Sequence, residues 1–130
     1  MLLGVALGAA GCGGIKAPDL FIITRSGAGP HAHLTLLVNE EGGVHCNATI
    51  TGKLSDPQIV KARAITEELE KPAGENLSLA SEPNSVLSYH LRDANGTVSF
   101  ADNSPGQPAV LRQLTLFVLQ TAQQVCHLPE

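Results

Sequence analysis

The chain has 130 residues, a length that fits one domain around a single core. Hydrophobic residues make up 43% of it and aromatic residues only 3%, so the core is predicted to consist mostly of Leu, Val, Ile and Ala. A net charge of −4, with no cluster of Lys or Arg, argues against a nucleic-acid partner and against electrostatic docking on an anionic membrane.

The first 14 residues differ in composition from the rest of the chain. Leu2–Ala10 is a short apolar run followed by small residues around Cys12. It is too short to span a bilayer, which takes roughly 20 apolar residues, but it is typical of the apolar region of a secretory signal. We therefore expect residues 1–14 to be a leader and residues 15–130 to form a single domain.

The sequence Ala9-Ala10-Gly11-Cys12 resembles the lipobox of bacterial lipoproteins, with Ala9 where that family usually has Leu. The resemblance implies that Cys12 is lipidated and becomes the mature N-terminus. The protein would then be anchored outside the cytoplasm on the bacterial cell membrane. The alternatives are an ordinary cleaved signal, which would leave the protein secreted, and a buried N-terminal segment with a free cysteine.

If Cys12 carries lipid, Cys46 and Cys126 remain as an even pair. Two such cysteines usually form a disulfide in an oxidising compartment. The alternative is two buried, reduced thiols.

Three strands are predicted at the start of the domain. Asp19–Arg25 and His33–Asn39 are rich in β-branched and aliphatic residues, and a turn rich in Gly and Pro separates them. Val44–Ile50 alternates strictly, which places Cys46 on the inward face.

A helix is predicted next. Ser55 can cap it, Pro57 falls in its first turn, and Gln58 completes an S-x-x-Q capping box. Pro72 and Gly74 are expected to end it.

The last part of the domain predicts a hairpin and a second helix. Strands at Val86–Arg92 and Thr97–Asp102 flank an Asn95-Gly96 turn, a strong hairpin signal. The helix runs from near Pro108 to near Cys126. Its apolar stripe is expected to be nearly all core: Val110, Leu111, Leu114, Leu116, Phe117, Val118, Leu119, Thr121 and Val125.

The order of elements, βββαββα, predicts an α+β fold: an antiparallel sheet of about five strands with two helices packed on one face. Loops on such a scaffold commonly carry function. The candidate binding segments are therefore 27–32, 75–84 and 102–107, with simple connectors as the alternative for each. The candidate binding residues in or beside the first and last of them are Arg25, Ser26, His31, Asn103, Ser104 and Gln107.

No reaction is predicted from the residue pattern. His31 and His33 could ligate a metal from one side of a strand, but no third ligand lies near them in the sequence, and exposed histidines are the favoured interpretation. Neither a G-x-S-x-G nucleophile elbow nor a phosphate-binding glycine pattern occurs. We therefore expect no enzyme activity, no metal and no cofactor; a small hydrolase is the least favoured alternative.

The segment Leu87–Asp102, followed by a Pro-containing loop and by Leu111–Leu114, resembles emfourin-like proteins. The Thr24–Gly27 turn after the first strand also resembles that of emfourin-like proteins. Characterised members of that family are small α+β proteins that inhibit thermolysin-like metalloproteases such as protealysin. The resemblance implies a monomeric, non-enzymatic binding protein whose partner is an exported metalloprotease, although no inhibitory residue can be carried over. The chain also resembles small actinobacterial lipoproteins, so an accessory or structural envelope role is the alternative.

Overall fold

The computed structural model describes residues 18–130, and the predicted leader with Cys12 lies outside them. The strands are β1 Asp19–Gly27, β2 Leu34–Asn39, β3 Gly43–Cys46, β4 Ile50–Lys53, β5 Leu87–Arg92 and β6 Thr97–Ala101. The helices are α1 Asp56–Glu68, α2 Glu70–Gly74 and α3 Ala109–Gln124. The strands form one antiparallel sheet in the order β4-β3-β2-β1-β5-β6. The predicted α+β class is confirmed, with six strands and three helices instead of about five and two.

One face of the sheet carries the core. Along β2, Leu34, Leu36 and Val38 are buried while the residues between them are only half-buried, as the two-residue repeat of a strand requires. The rings of Phe21 on β1 and Phe117 on α3 meet edge to face, with centroids 6.3 Å apart. Buried residues of all three helices belong to the same apolar cluster as these strand residues. The helices therefore cover one face of the sheet and leave the other open.

The prediction of a single third strand is wrong. Val44–Ile50 is not one strand, because the chain turns back between β3 and β4 and Cys46 pairs with Ile50 in a hairpin. Asn47 and Ala48 adopt positive φ angles of 51° and 70° at this turn. Asn tolerates that conformation, but Ala adopts it only at a cost in free energy. Because alternation continues through the turn, the sequence did not indicate it.

The start of α1 is confirmed, and its end is corrected. The Ser55 hydroxyl accepts a hydrogen bond from the Gln58 backbone N–H, and the Gln58 side chain accepts one from the Ser55 backbone N–H, which completes the capping box. The helix breaks at Leu69 instead of continuing to Pro72, and the chain re-enters a helix at once as α2. Pro72 is tolerated there because it lies in the first turn of α2, where its missing N–H has no intrahelical partner.

The last helix is less buried than its composition predicts. Val110, Leu111, Leu114, Phe117, Val118, Thr121 and Ala122 are buried. Leu116 and Leu119, expected to widen the core stripe, are 53% and 36% exposed. A helix that lies on a sheet can bury only one side, so these two leucines face solvent.

The predicted hairpin of β5 and β6 is present, with Arg92 paired to Thr97 across a four-residue turn. The carboxylate of Asp93 accepts hydrogen bonds from the backbone N–H groups of Asn95 and Gly96, at 2.8 and 3.2 Å, and so fixes the turn. The outer edge of β6 is covered by a short parallel contact, since Leu77 and Leu79 each hydrogen-bond to the backbone of Ser99.

Cys46 on β3 and Cys126, just beyond α3, lie at disulfide-bonding distance, with their Cα atoms 6.3 Å apart. Both residues are buried. The predicted pairing is therefore present in the fold, and it joins the sheet to the end of its principal covering helix.

The double substitution Cys46→Ala with Cys126→Ala should lower the free energy of unfolding. The bridge joins residues separated by 80 positions, for which the chain-entropy estimate is about 4.5 kcal/mol as an upper figure. Urea denaturation without reductant should show the loss, and adding reductant to the wild type should reproduce it. Equal stability of wild type and variant without reductant would contradict the bridge.

Candidate functional site at one end of the sheet

Several loops of the domain meet at one end of the sheet. β1 starts at Asp19 and runs to Gly27, where it lies beside the start of β2 at Leu34 and the start of β5 at Leu87. β6 ends at Ala101, next to the start of β5. We call this end, opposite Asp19, the distal end; its segments are 28–33, 47–49, 80–86, 102–108 and 126–130.

A buried cation lies at the distal end. Arg25 projects from β1 on the same face as Phe21 and Ile23, and it is only 4% exposed. Its Nη1 and Nη2 atoms donate to the two carboxylate oxygens of Glu130, at 2.7 and 3.2 Å. Such two-point pairs are among the strongest hydrogen-bonded contacts in proteins. The pair therefore compensates the buried charge and holds segment 126–130 over the end of the sheet.

The other donors of Arg25 are fixed by backbone carbonyls. Nε donates to the oxygen of Ala32 at 2.8 Å, and Nη2 donates to the oxygen of His31 at 3.0 Å. The loop after β1 thus holds one edge of the guanidinium, while the other edge faces the carboxylate.

A pocket of about 320 Å³ opens beside this ion pair. We call it the Arg25 pocket; it is lined by Arg25, Gly29, Pro30, His31, Ala32, Val86, Leu87 and Glu130. Its walls are largely apolar, and Val86 is 59% exposed although it is a large aliphatic residue. The pocket therefore combines one buried positive group with an aliphatic wall.

Tyr89 lies next to Arg25 as its cross-strand partner on β5. Its ring stacks on Phe100 with centroids 4.9 Å apart. Burial raises the pKa of the Tyr89 phenol; the charge of Arg25 opposes that rise, while Asp102 and Glu130 add to it. The phenol therefore stays neutral, and the buried positive charge beside it depends on Glu130 for compensation.

Ser104 and Gln107 hold the loop after β6 in place. The buried hydroxyl of Ser104 accepts a hydrogen bond from the Ala101 N–H at 2.9 Å. The Gln107 amide donates to the carbonyl of Ala101 at 2.9 Å. Both predicted binding residues thus serve the shape of the loop, and they line a cleft of about 400 Å³ that also includes Tyr89 and Arg112.

Asn103 links two loops of the distal end. Its amide donates to the carbonyls of Glu82 and Pro83, each at 3.1 Å, and its oxygen accepts from the Glu82 N–H at 3.1 Å. Segments 80–86 and 102–108 therefore form one continuous surface.

Asp102 ties the start of β5 to the end of β6. Its carboxylate accepts from the Ser85 hydroxyl at 2.9 Å and from the Val86 N–H at 3.1 Å. Slight desolvation works to raise the pKa of Asp102, but hydrogen bonds from Ser85 and from neighbouring backbone N–H groups outweigh it and hold the pKa below its usual value. The ionised carboxylate thus orders the wall of the Arg25 pocket that Val86 forms.

Strained backbone also concentrates at the distal end. Five non-glycine residues of the described chain have positive φ angles. Four of them belong to segments of the distal end: Asn47, Ala48, Asn84 and His127, at 51°, 70°, 72° and 55°. The fifth, Asn76 at 51°, lies beside Thr97 at the other end of the sheet. Such conformations persist only where the surrounding structure imposes them, and they cluster at functional sites. Their concentration supports a functional role for the distal end.

All six predicted binding residues lie at the distal end, but their settings differ. Ser26 and His31 are exposed, Asn103 and Gln107 are half-buried, and Arg25 and Ser104 are buried. Sequence reasoning missed Glu130, Tyr89 and Val86. The sequence held a signal for an acceptor near Arg25, although not for Glu130 itself: strand alternation places Arg25 inward, and a buried Arg requires an acceptor.

The open face of the sheet holds a third concave surface, a groove of about 730 Å³. It is lined by Asp19, Ile22, His33, Thr35, Leu37, Asn39, His45, Asn47 and Ala48. His33 lines this groove, and it also lines a smaller pocket of about 180 Å³ at the distal end together with His31. Within residues 18–130, no group of three or more His, Cys, Asp or Glu side chains is placed to hold a metal ion.

Comparison with known protein families, with curated proteins and with solved structures found no match. The emfourin resemblance therefore remains a prediction from the quoted segments. In the part of the chain that the structure covers, no helix has the length and apolar character needed to cross a bilayer.

Acidification should loosen the Val86 wall before the rest of the fold. Because the pKa of Asp102 is depressed in the folded state, its contribution to stability is present above the ordinary value of 3.8 and is lost as the pH falls through the folded pKa. Hydrogen exchange measured by NMR should show early loss of protection at the Val86 amide. Asp102→Asn should abolish that acid-specific step, and unchanged behaviour in this variant would contradict the role of the carboxylate.

Removing the partner of Arg25 should be far more costly than removing a surface acid. Glu130→Ala leaves a buried guanidinium without its carboxylate, and breaking such a pair costs about 3 kcal/mol. Glu75→Ala is the matched control: it breaks the Lys71–Glu75 pair, whose side chains are 81% and 61% exposed, and should change stability by less than about 0.5 kcal/mol. Equal losses in the free energy of unfolding, measured by urea denaturation, would contradict this prediction, because the buried pair would then contribute no more than the exposed one.

Proposed function

We propose that this protein is an exported, lipid-tethered, non-enzymatic binding protein that presents its distal end to a protein partner. The observation that carries the proposal is that candidate segments 27–32 and 102–107 meet the second half of segment 75–84 at the end of the sheet opposite Asp19. β1 has nine residues, which span about 30 Å at roughly 3.3 Å per residue. The start of β1, which follows Cys12 in the sequence, and the binding loops therefore lie at opposite ends of the sheet.

The cysteine pair supports an oxidising compartment. Cys46 and Cys126 are buried together at bonding distance, and stable disulfides are characteristic of exported proteins. Between Cys12 and β1 the chain is short, so a lipid on that cysteine would keep the domain close to the membrane surface. In this proposal the distal end faces away from the bilayer.

The partner class in this proposal is an exported metalloprotease of the thermolysin type, as the emfourin resemblance implies. Loops held on a rigid scaffold can occupy the substrate cleft of a protease without being cleaved. The hydrogen bonds of Asn103, Ser104 and Gln107 hold one such loop rigid. The domain acts in this scheme as a monomer that binds and does not catalyse.

The anchor is tested by labelling the full chain with a palmitate analogue in its native host. Wild type should take up label in the membrane fraction, and Cys12→Ser should not. The double variant Cys46→Ala with Cys126→Ala is the matched control and should keep its label. Label retained by Cys12→Ser would overturn the lipoprotein assignment.

The partner class is tested by titrating a thermolysin-type protease with the lipid-free Cys12→Ser chain. We expect inhibition at micromolar concentration. Ala28→Arg at the distal end should weaken it at least tenfold, because a bulky charge at an interface opposes close contact. Ala94→Arg, the same change on the exposed turn at the other end of the sheet, should leave it unchanged.

No inhibition by the unmodified domain would remove the protease as partner, and an envelope lipoprotein without inhibitory activity would then be the better assignment. Equal effects of the two arginine substitutions would contradict the distal end as the binding surface.

A further inference from the structure

We propose that the Arg25 pocket binds the C-terminal residue of a polypeptide, and that Glu130 occupies it as an internal substitute for the ligand carboxylate. The inference rests on the proposed function and deepens it by naming the chemical group of the partner that the distal end would recognise. The ligand has two parts: a free carboxylate for Arg25 and an aliphatic side chain for the wall formed by Pro30, Val86 and Leu87.

The guanidinium is ready for a carboxylate. The carbonyls of Ala32 and His31 hold its Nε and Nη2 atoms at 2.8 and 3.0 Å. These contacts do not involve Glu130, so the orientation of Arg25 is set by its own loop. The edge that remains presents two N–H donors side by side, a fork that matches the two oxygens of a carboxylate.

The pocket beside it selects an apolar residue. Its volume of about 320 Å³ is at the lower end of the range of about 300–1,000 Å³ for small-ligand sites. Val86 is 59% exposed and Leu87 is half-buried on its wall, so an aliphatic side chain placed there would cover surface that is now open to water. A carboxylate next to an aliphatic group is the chemistry of a chain terminus, and capture of C-terminal carboxylates is an established mode of peptide recognition.

Among residues 18–130, the hydrogen bonds of the Glu130 side chain are those to Arg25. After α3, the Leu128 N–H donates to the Ala122 carbonyl at 2.8 Å, and Pro129 has no N–H to donate. An internal ligand on a short segment competes at an effective concentration on the order of millimolar. The wild type should therefore bind an external carboxylate, but less tightly than a chain without Glu130.

The test uses N-acetyl-leucine, which carries both parts of the ligand, and the full chain with Cys12→Ser. NMR follows the Arg25 Nε–H and the Ala32 amide during titration. Saturable binding is expected in all chains that keep Arg25, at least tenfold tighter in Glu130→Ala than with Glu130 present. N-acetyl-leucinamide, which lacks the carboxylate, should not bind, and acetate, which lacks the side chain, should bind more weakly than N-acetyl-leucine.

Two further variants keep the result decisive. Arg25→Met combined with Glu130→Ala removes both buried charges, so it should fold and should lose binding. Glu75→Ala, which removes an exposed carboxylate, should bind as the wild type does. Should Glu130→Ala fail to fold, Glu130→Gln, which preserves the shape of the side chain, and the wild type at high ligand concentration take its place.

Binding of the amide as tight as that of the acid, binding by the double variant, or no saturable response in any folded chain would each overturn this inference. Its failure is separable from failure of the proposed function. If the protease is inhibited but N-acetyl-leucine does not bind, only the carboxylate site is lost. If N-acetyl-leucine binds but the protease is not inhibited, only the partner class is lost.

Discussion

Packing of α3 across one face of the sheet is the constraint on which the other features of this domain depend. The core is poor in aromatic residues, so it relies on close approach of aliphatic surfaces. Gly52 on β4 shows how close that approach is: a Cβ atom there would lie 2.6 Å from a methyl carbon of Val125. The link between Cys46 and Cys126 lies one residue beyond this contact. The end of α3 is thus held to the sheet by shape and by covalent chemistry together.

That attachment also determines what happens at the distal end. Because Cys126 is fixed beside β3, the residues after it must run across the end of β1, where Arg25 projects inward. Glu130 reaches the guanidinium there and compensates a charge that would otherwise be buried alone. The position of the pocket is therefore a consequence of how the last helix is anchored, and not a local property of the loop after β1.

Local signals predicted much of this fold, and non-local ones did not. The capping box at Ser55 and the Asn95-Gly96 hairpin could be predicted because each depends on residues within one turn. The reversal at Asn47 and Ala48 could not, since alternation continues through it and Ala gives no sign of a positive φ. Leu116 and Leu119 were expected inside because an apolar stripe does not reveal how much of its width the sheet can cover.

The residues of the candidate site also divide into those that local signals predicted and those that they did not. Turn chemistry identified the loops at Ser26 and Asn103, and antiparallel pairing explains why they meet. The pairing of Arg25 with Glu130 spans 105 positions, and no local pattern specifies such a contact. Alternation could show only that Arg25 points inward and needs an acceptor, not which carboxylate provides it.

The charge balance around Arg25 explains how one site can serve both stability and recognition. A buried guanidinium without a carboxylate destabilises the folded state. The domain would therefore be less stable if neither Glu130 nor a ligand carboxylate paired with Arg25. Exchange of Glu130 for the carboxylate of a partner leaves the local charge unchanged, and the backbone contacts to His31 and Ala32 persist throughout. Tyr89, which stays neutral beside the guanidinium, adds no competing charge. The exchange therefore needs to move only Pro129 and Glu130, while the sheet, the link between Cys46 and Cys126 and α3 stay in place.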